Sequence, residues 1–397
     1  METKGEFHDR KTKMTRSRIK QALISLIGET NYAGITITDI SERANVNRAT
    51  FYAHYRDKDQ VLDEIVSMFL DGLMDKFDTP RTTDIFTHIL EHVSLMKALL
   101  SDKHLKDRFH KQMSQALKRA YSERLTLLTA NDEKMSSETE VYNTYAGSAT
   151  LGMIEFWYKD DFRLSPAYMA EQITGIAAQR PHRYLDTLIY IERTIERKPK
   201  VSDRRIERTR LLLQNALLTL LREKSFGDIT VQEISKRADV HRVTFYAHYN
   251  DKETLVEDIT RKTLADLIEW MHDAIERKSR LSYARNECLS TLLAFFTFIT
   301  THSDLFYLAL NDNKIPGFRA AMFDALQVYF ARGLAKAHTQ YSSIHPEIYS
   351  HYIASALLGV VDHWLSDGMR YSPSHMAEIL TEIINKIPQK TIYHRSY

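Results

Sequence analysis

At 397 residues the chain is long enough for two or three domains, each burying a core of its own. Its 54 basic and 52 acidic side chains nearly cancel, so the net charge of +2 excludes a global basic field, and any case for nucleic acid must rest on local placement. With 12 glycines and 8 prolines, helix breakers are scarce and the composition favours helices.

The single cysteine, Cys288, excludes an intrachain disulfide and fits a reducing compartment; its plain reading is a small buried apolar residue. Residues 1 to 20 hold no apolar signal-peptide core. The most apolar run, Leu292 to Ile299, is broken by Thr297 and falls short of the roughly 20 residues a membrane span needs. The expectation is a cytoplasmic protein with no membrane partner.

In chain order, Ile19, Leu23, Leu26 and Ile27 form a helical stripe, and a Gly-containing break follows at Tyr32-Ala33-Gly34. Thr36 with Asp39 opens a short helix over Ile37 to Ala44 as a weak capping box. Asn45, a residue that tolerates the left-handed region, turns the chain into a second short helix beginning at Asn47. Asp57 then caps a long amphipathic run that reaches about Phe77.

The whole series recurs. Ile35 to Lys58 and Ile229 to Lys252 are identical at 16 of 24 aligned positions, including Phe-Tyr-Ala-His-Tyr at Phe51 to Tyr55 and at Phe245 to Tyr249. Leu213, Leu217, Leu220 and Leu221 repeat the stripe, Phe226-Gly227-Asp228 the break, and Asp239 the turn. Thr230 with Glu233 is a full capping box, and Asp251 opens a run to about Glu276. Near the ends of the halves, Leu151-Gly152 through Phe156-Trp157 matches Leu358-Gly359 through His363-Trp364. The offset is 194 early in the repeat and 207 late, so the second copy carries a net insertion of 13 residues. A period this long is a duplicated domain rather than a solenoid.

A short helix, a tight turn and a second short helix packed on a longer one is a helix-turn-helix. The second helix offers Asn47, Arg48, Thr50 and Tyr52 in one copy and His241, Arg242, Thr244 and Tyr246 in the other. Arg can bond guanine through its fork, Asn can pair with adenine, and Thr can meet a thymine methyl or a phosphate. Tyr52, Lys58 and the hydroxyls of Thr36 and Thr38 suit phosphates. Such units also serve purely as packing elements, and His54 and His248 read equally as caps or packing residues.

This motif closely resembles the DNA-binding domain of the TetR family of bacterial transcription regulators. Trp364-Leu-Ser-Asp-Gly-Met-Arg-Tyr-Ser-Pro373 is similar to the tail of many TetR ligand domains. The resemblance implies an all-α fold of two tandem units, each an N-terminal helix-turn-helix domain followed by a helical ligand and dimerisation domain. The plan is a flexible tail over 1–14, helix-turn-helix domains over 15–60 and 203–254 and regulatory domains over 61–180 and 255–397. The resemblance leaves the tail and the linker over 181–202 uncovered, and the linker reads as helix from the spacing of Tyr184, Leu188 and Ile191 over residues 182 to 197, which Pro181 and Pro199 bracket.

It also implies recognition helices over Asn47 to Ala53 and His241 to Ala247, with Arg48, Thr50, Arg242 and Thr244 facing DNA. Tyr52, His54, Lys58, Tyr246, His248 and Lys252 take the place of phosphate contacts, and Thr38 and Gln232 that of a residue reaching bases from the preceding helix. Thr230 joins this DNA-binding set as the counterpart of Thr36. The chain departs from the family in carrying two such domains, where members normally carry one and dimerise.

In this family the last two helices of the ligand domain form a four-helix dimer bundle. The candidates are about Val141 to Lys159 with Pro166 to Ala178 and Glu347 to Leu365 with Pro373 to Ile387, with Gly152, Phe156, Gly359 and His363 at the contact. The plain alternative is that their small residues are simply core. Both halves can satisfy the bundle inside one chain, giving an intramolecular pseudo-dimer with its recognition helices about 34–36 Å apart; a homodimer is the other arrangement.

The expected function is sequence-specific binding of double-stranded DNA, as a repressor released by a small-molecule effector of unspecified identity. The alternative is a TetR-like adaptor that binds another protein and has lost DNA affinity in one or both halves. The aromatics Phe295, Phe296, Phe298, Phe306 and Tyr307 mark either an effector pocket or core. No enzyme and no cofactor are expected, because the chain has no GxGxxG, no P-loop and no His-Glu-x-x-His, and the histidines show no convincing metal spacing.

Overall fold

The computed structural model describes residues 4–79, 81–128, 136–178, 204–278, 285–337 and 344–386. Among them every regular element is helical. In the first half α1 (Lys4–Glu29), α2 (Ile37–Ala44), α3 (Arg48–His54) and α4 (Lys58–Phe77) are followed by α5 (Thr82–Glu91), α6 (Val93–Ser101), α7 (Lys103–Leu128), α8 (Ser136–Lys159) and α9 (Pro166–Ala178). In the second half α10 (Arg204–Glu223), α11 (Val231–Arg237), α12 (Arg242–His248) and α13 (Lys252–Lys278) precede α14 (Arg285–Thr301) and α15 (Ser303–Phe306). A wide turn at Tyr307–Asn311 then leads to α16 (Phe318–Ala337), α17 (Pro346–Ser366) and α18 (Pro373–Lys386).

Local chemistry explains why each short helix starts and stops. Both Thr36 and Thr230 accept from the N–H three residues on while Asp39 and Glu233 reach back to the cap N–H, so both capping boxes are complete. Asn45 and Asp239 lie in the left-handed region at φ 50° and 54°. There Val46 donates to the Ser41 carbonyl and Val240 to the Ser235 carbonyl, closing each helix end and aiming the next helix. Asp57 and Asp251 cap α4 and α13 by accepting from the Gln60 and Thr254 N–H groups.

Residues 4–14, expected within a tail, lie in α1, which begins at Lys4. The expected linker over 181–202 lies outside the described residues. The insertion in the second half is carried largely by α13, with 27 residues against 20 in α4, and by α14, with 17 against 10 in α5.

The described residues divide into two compact units, one holding those of 4–128 with 150–174, the other 136–149 with those of 175–386. In the first unit α1 packs on α2, α4 and α6, and α4 on α5 and α7, around Phe51, Phe69, Phe86 and Phe109. In the second, α13 packs on α14 and α16, α14 on α18, and α16 on α17, around Phe245, Phe295, Phe296 and Trp364. Cys288 is buried there, as its apolar reading expects. Among the described residues no single helix is long and apolar enough to cross a membrane.

The second unit also holds the first part of α8, and that segment packs against α17. The rings of Tyr145 and Tyr352 meet edge to face at 6.2 Å, and His363 Nε2 lies 3.2 Å from Glu140 Oε1. Gly359 faces Ser148 at a separation that no larger residue at 359 fits. Gly152 is buried and Phe156 half-buried, both in the first unit.

Candidate nucleic-acid interface

The repeated pentapeptide splits its side chains between two faces of one short helix. Phe51 and Phe245 are fully buried, as are the closing residues Tyr55 and Tyr249 at 1% and 4% exposure. Tyr52 and Tyr246 stand 50% exposed, their rings edge-on to the buried phenylalanines. Burying one Phe stabilises by roughly 1.5–3 kcal/mol, so these anchors hold α3 and α12 in place. The opposite face is left to solvent.

That outer face carries most of the residues expected to meet DNA. Asn47, Arg48, His241 and Arg242 are exposed and Thr50 and Thr244 half-buried; Thr38 and Gln232 are exposed in the first turns of α2 and α11. His54 and His248 are half-buried in the last turns of α3 and α12. Val243 is 80% exposed, a large apolar side chain with no packing role, where the first half has Ala49. In α12 the Arg242 guanidinium lies 6.0 Å from the Tyr246 ring centre, held toward the outer surface.

Several expected contact residues are committed within the domain. Lys58 Nζ donates to the carbonyls of Tyr32, Ala33 and Ile35 at 2.8, 3.3 and 2.7 Å, and Lys252 Nζ to those of Phe226, Gly227 and Ile229 at 2.8, 3.2 and 2.8 Å. An ammonium has three donors, and all three are occupied, so this geometry gives no support to a phosphate role for either lysine. Asn47 Oδ1 accepts from the Thr50 N–H at 2.6 Å as the cap of α3, and the hydroxyls of Thr36 and Thr230 sit within their capping boxes.

Reading the sequence missed the groups that fix the platform. Arg43 grips Glu29 with both guanidinium arms at 2.6 and 2.7 Å, and Arg237 grips Glu223 at 2.7 and 2.9 Å, tying the first short helix of each motif, α2 or α11, to the long helix before it, α1 or α10. The Arg43 hydrogen bonds hold the Glu29 carboxyl down to about 2. Arg18 donates to the Asn45 carbonyl at 2.9 Å and so braces the left-handed turn.

Beneath the motif the two halves solve one problem differently. Tyr55 accepts from Arg16, which also pairs with Glu64, and Lys20 reaches the same carboxylate. In the second half Tyr249 donates to Asp258, which Gln214 and Arg261 also engage. The signal in the sequence was the second tyrosine of each pentapeptide, whose burial nothing local announces.

The aromatics of the second half divide as well. Phe295, Phe296, Phe298 and Phe306 are core, while Tyr307 is 44% exposed. An open cleft of about 940 Å³ lies instead in the first unit, between α1, α6 and the residues that end α8, lined among others by Gln21, Ser25, Lys97 and Tyr158.

Comparison with known proteins agrees with this duplication. Residues 19–65 and 214–259 match the family described as bacterial regulatory proteins, tetR family, and residues 79–179 and 286–386 match a transcriptional regulator C-terminal region. The chain is 24% identical over 396 residues to the uncharacterized HTH-type transcriptional regulator YxbF of Bacillus subtilis, covering 95% of this chain and 98% of that protein. It is 27% identical over 109 residues to an uncharacterized HTH-type transcriptional regulator of Haemophilus influenzae, covering 27% of this chain and 52% of that one. The chain belongs to the TetR family of transcriptional regulators, with both regions of the family present twice.

Proposed function

We propose that the chain is a sequence-specific DNA-binding repressor in which both helix-turn-helix units read double-stranded DNA, each a different half-site. The observation that carries this is the outer face of α3 and α12. Arg48 and Arg242 are exposed there with Tyr52, Tyr246 and Val243, on helices whose inner faces are already anchored by fully buried phenylalanines. An adaptor that had lost DNA affinity has no need of these groups in both copies. Asn47 and Ala49 against His241 and Val243 are the differences that make the half-sites unequal.

The same reading makes the molecule a pseudo-dimer closed within one chain. Support comes from the second unit, where residues 136–149 of α8 pack against α17 through the Tyr145–Tyr352 pair and the close approach of Gly359 and Ser148. Repression relieved by a small ligand remains part of the proposal, and the cleft beside α1 and α6 is the candidate for that ligand.

Gel-shift titration on the protein's own promoter region at several salt concentrations tests the DNA reading. Binding that weakens steeply with salt supports it, and no binding at low salt overturns it in favour of the adaptor. Light scattering tests the pseudo-dimer: a 46.3 kDa particle is expected, and an obligate dimer of chains contradicts it.

A further inference from the structure

Three metal-ligating side chains meet at the break between α5 and α6, away from the DNA-facing surface. His88 lies in the last turn of α5, Glu91 is its final residue, and His92 is the junction residue, with φ −108° and ψ 26°. One ligand atom from each lies within 4.8 Å of the other two. The spacing i, i+3, i+4 brings them to one side of the helix.

Hydrogen bonds decide which imidazole nitrogens are open. His88 Nε2 lies 3.0 Å from the Phe69 carbonyl of α4, and His92 Nδ1 lies 2.9 Å from the His88 carbonyl. A carbonyl only accepts, so those nitrogens carry the hydrogens and the lone pairs fall on His88 Nδ1 and His92 Nε2. A backbone carbonyl holding the far nitrogen is how proteins orient a ligating histidine. The His88 ring is further fixed by stacking on Phe69 at 5.1 Å, and Gly72 leaves it room: a Cβ at 72 would stand 2.8 Å from His88 Cε1.

The second half supplies an internal comparison. His302 holds the same junction, at φ −115° and ψ 28°, with Nδ1 2.9 Å from the Phe298 carbonyl. Capping this break therefore accounts for His92 alone. Where the first half has His88 and Glu91, the second has Phe298 and Thr301, and Asp266 stands at the repeat position of Gly72. The break forms without the extra two ligands, so its folding does not explain them.

We propose that His88, Glu91 and His92 bind one divalent transition-metal ion of the Zn²⁺ type, in the first half only. Two imidazoles and one carboxylate match that class of ion and leave a fourth position for water or another ligand. Glu91 and His92 line the 940 Å³ cleft, which gives the ion a path from solvent and the fourth ligand its space. A tetrahedral ion spaces its donor atoms roughly 3.4 Å apart, and the exposed Glu91 is the ligand freest to adjust to that spacing. The three ligands are adjacent in the sequence as His88-Ile-Leu-Glu91-His92; the helix junction and the Phe69 carbonyl add which nitrogens are open. The assignment is independent of how the protein reads DNA.

The test is titration of the tag-free full chain with Co²⁺, followed by its visible absorption and then by displacement with Zn²⁺. One saturable, Zn²⁺-displaceable Co²⁺ per chain is expected. Glu91→Gln, at an exposed position whose change leaves folding intact by circular dichroism, should weaken binding by at least roughly tenfold, the scale at which loss of even an orienting partner is felt. His92→Gln should do the same, and His302→Gln should bind as the unmodified chain does. No saturable band, or unchanged affinity in Glu91→Gln, overturns the assignment.

Discussion

Gly359 of α17 lies against Ser148 of α8 so closely that a methyl group at position 359 would overlap both Ser148 Oγ and its Cβ. No rotation of the serine relieves a clash with its own Cβ, so the two backbones must separate. Gly359→Ala is therefore expected to destabilise the second unit by about 1–3 kcal/mol despite the better helix propensity of alanine. Ser148→Gly in the same chain should restore much of the loss. A thermal or urea double-mutant cycle measures this, and additive effects at the two positions would argue against a tight contact.

The outer arginines should separate the two readers. Arg48→Ala and Arg242→Ala are each expected to cost roughly 1–3 kcal/mol of specific binding and to relax preference at one base position. Selection of bound sequences from random DNA should return an imperfect palindrome, with each variant blurring a different half. A variant that binds all sequences as before marks its half as a support only.

Lys58 offers a sharp choice between two roles. If its ammonium clamps the Tyr32, Ala33 and Ile35 carbonyls, Lys58→Ala loses about 1.5–3 kcal/mol of stability and leaves the salt dependence of DNA binding unchanged. A phosphate contact would instead lower the salt slope by about 0.9 with little effect on stability. Denaturation and salt-titrated gel shifts on one variant decide the matter, and Lys252→Ala repeats the test in the second half.

Acid should uncouple the second capping box. The Lys224 ammonium, with the N–H and hydroxyl of Thr230, holds the Glu233 carboxyl down to about 2 from an ordinary 4.5. A carboxyl lowered in the folded state adds stability above pH 4.5, and that contribution fades as pH falls toward 2. Glu233→Gln keeps the hydrogen-bonding cap but not the charge, so its melting temperature should lie below that of the unmodified chain at pH 7. The two should converge near pH 2. A gap that persists at pH 2 would assign the effect to packing.

The sequence by itself determined the duplication, the all-helical class and the turn in each motif. Those properties are local: capping needs Thr36 and Asp39 three residues apart, and the left-handed turn needs only what Asn45 and Asp239 are. It also marked Arg48 and Arg242 as residues for the outer surface. What only the tertiary structure decided is which polar groups are still open to a ligand.

Read from the sequence, Lys58 suits a phosphate; the fold adds a second role for its ammonium, through carbonyls 23 to 26 residues earlier in the chain. His88, Glu91 and His92 are neighbours in the sequence, but only the Phe69 carbonyl on another helix fixes which nitrogen of His88 carries the lone pair. Hydrogen-bond capacity is finite, and its allocation depends on groups distant in sequence that folding brings into reach.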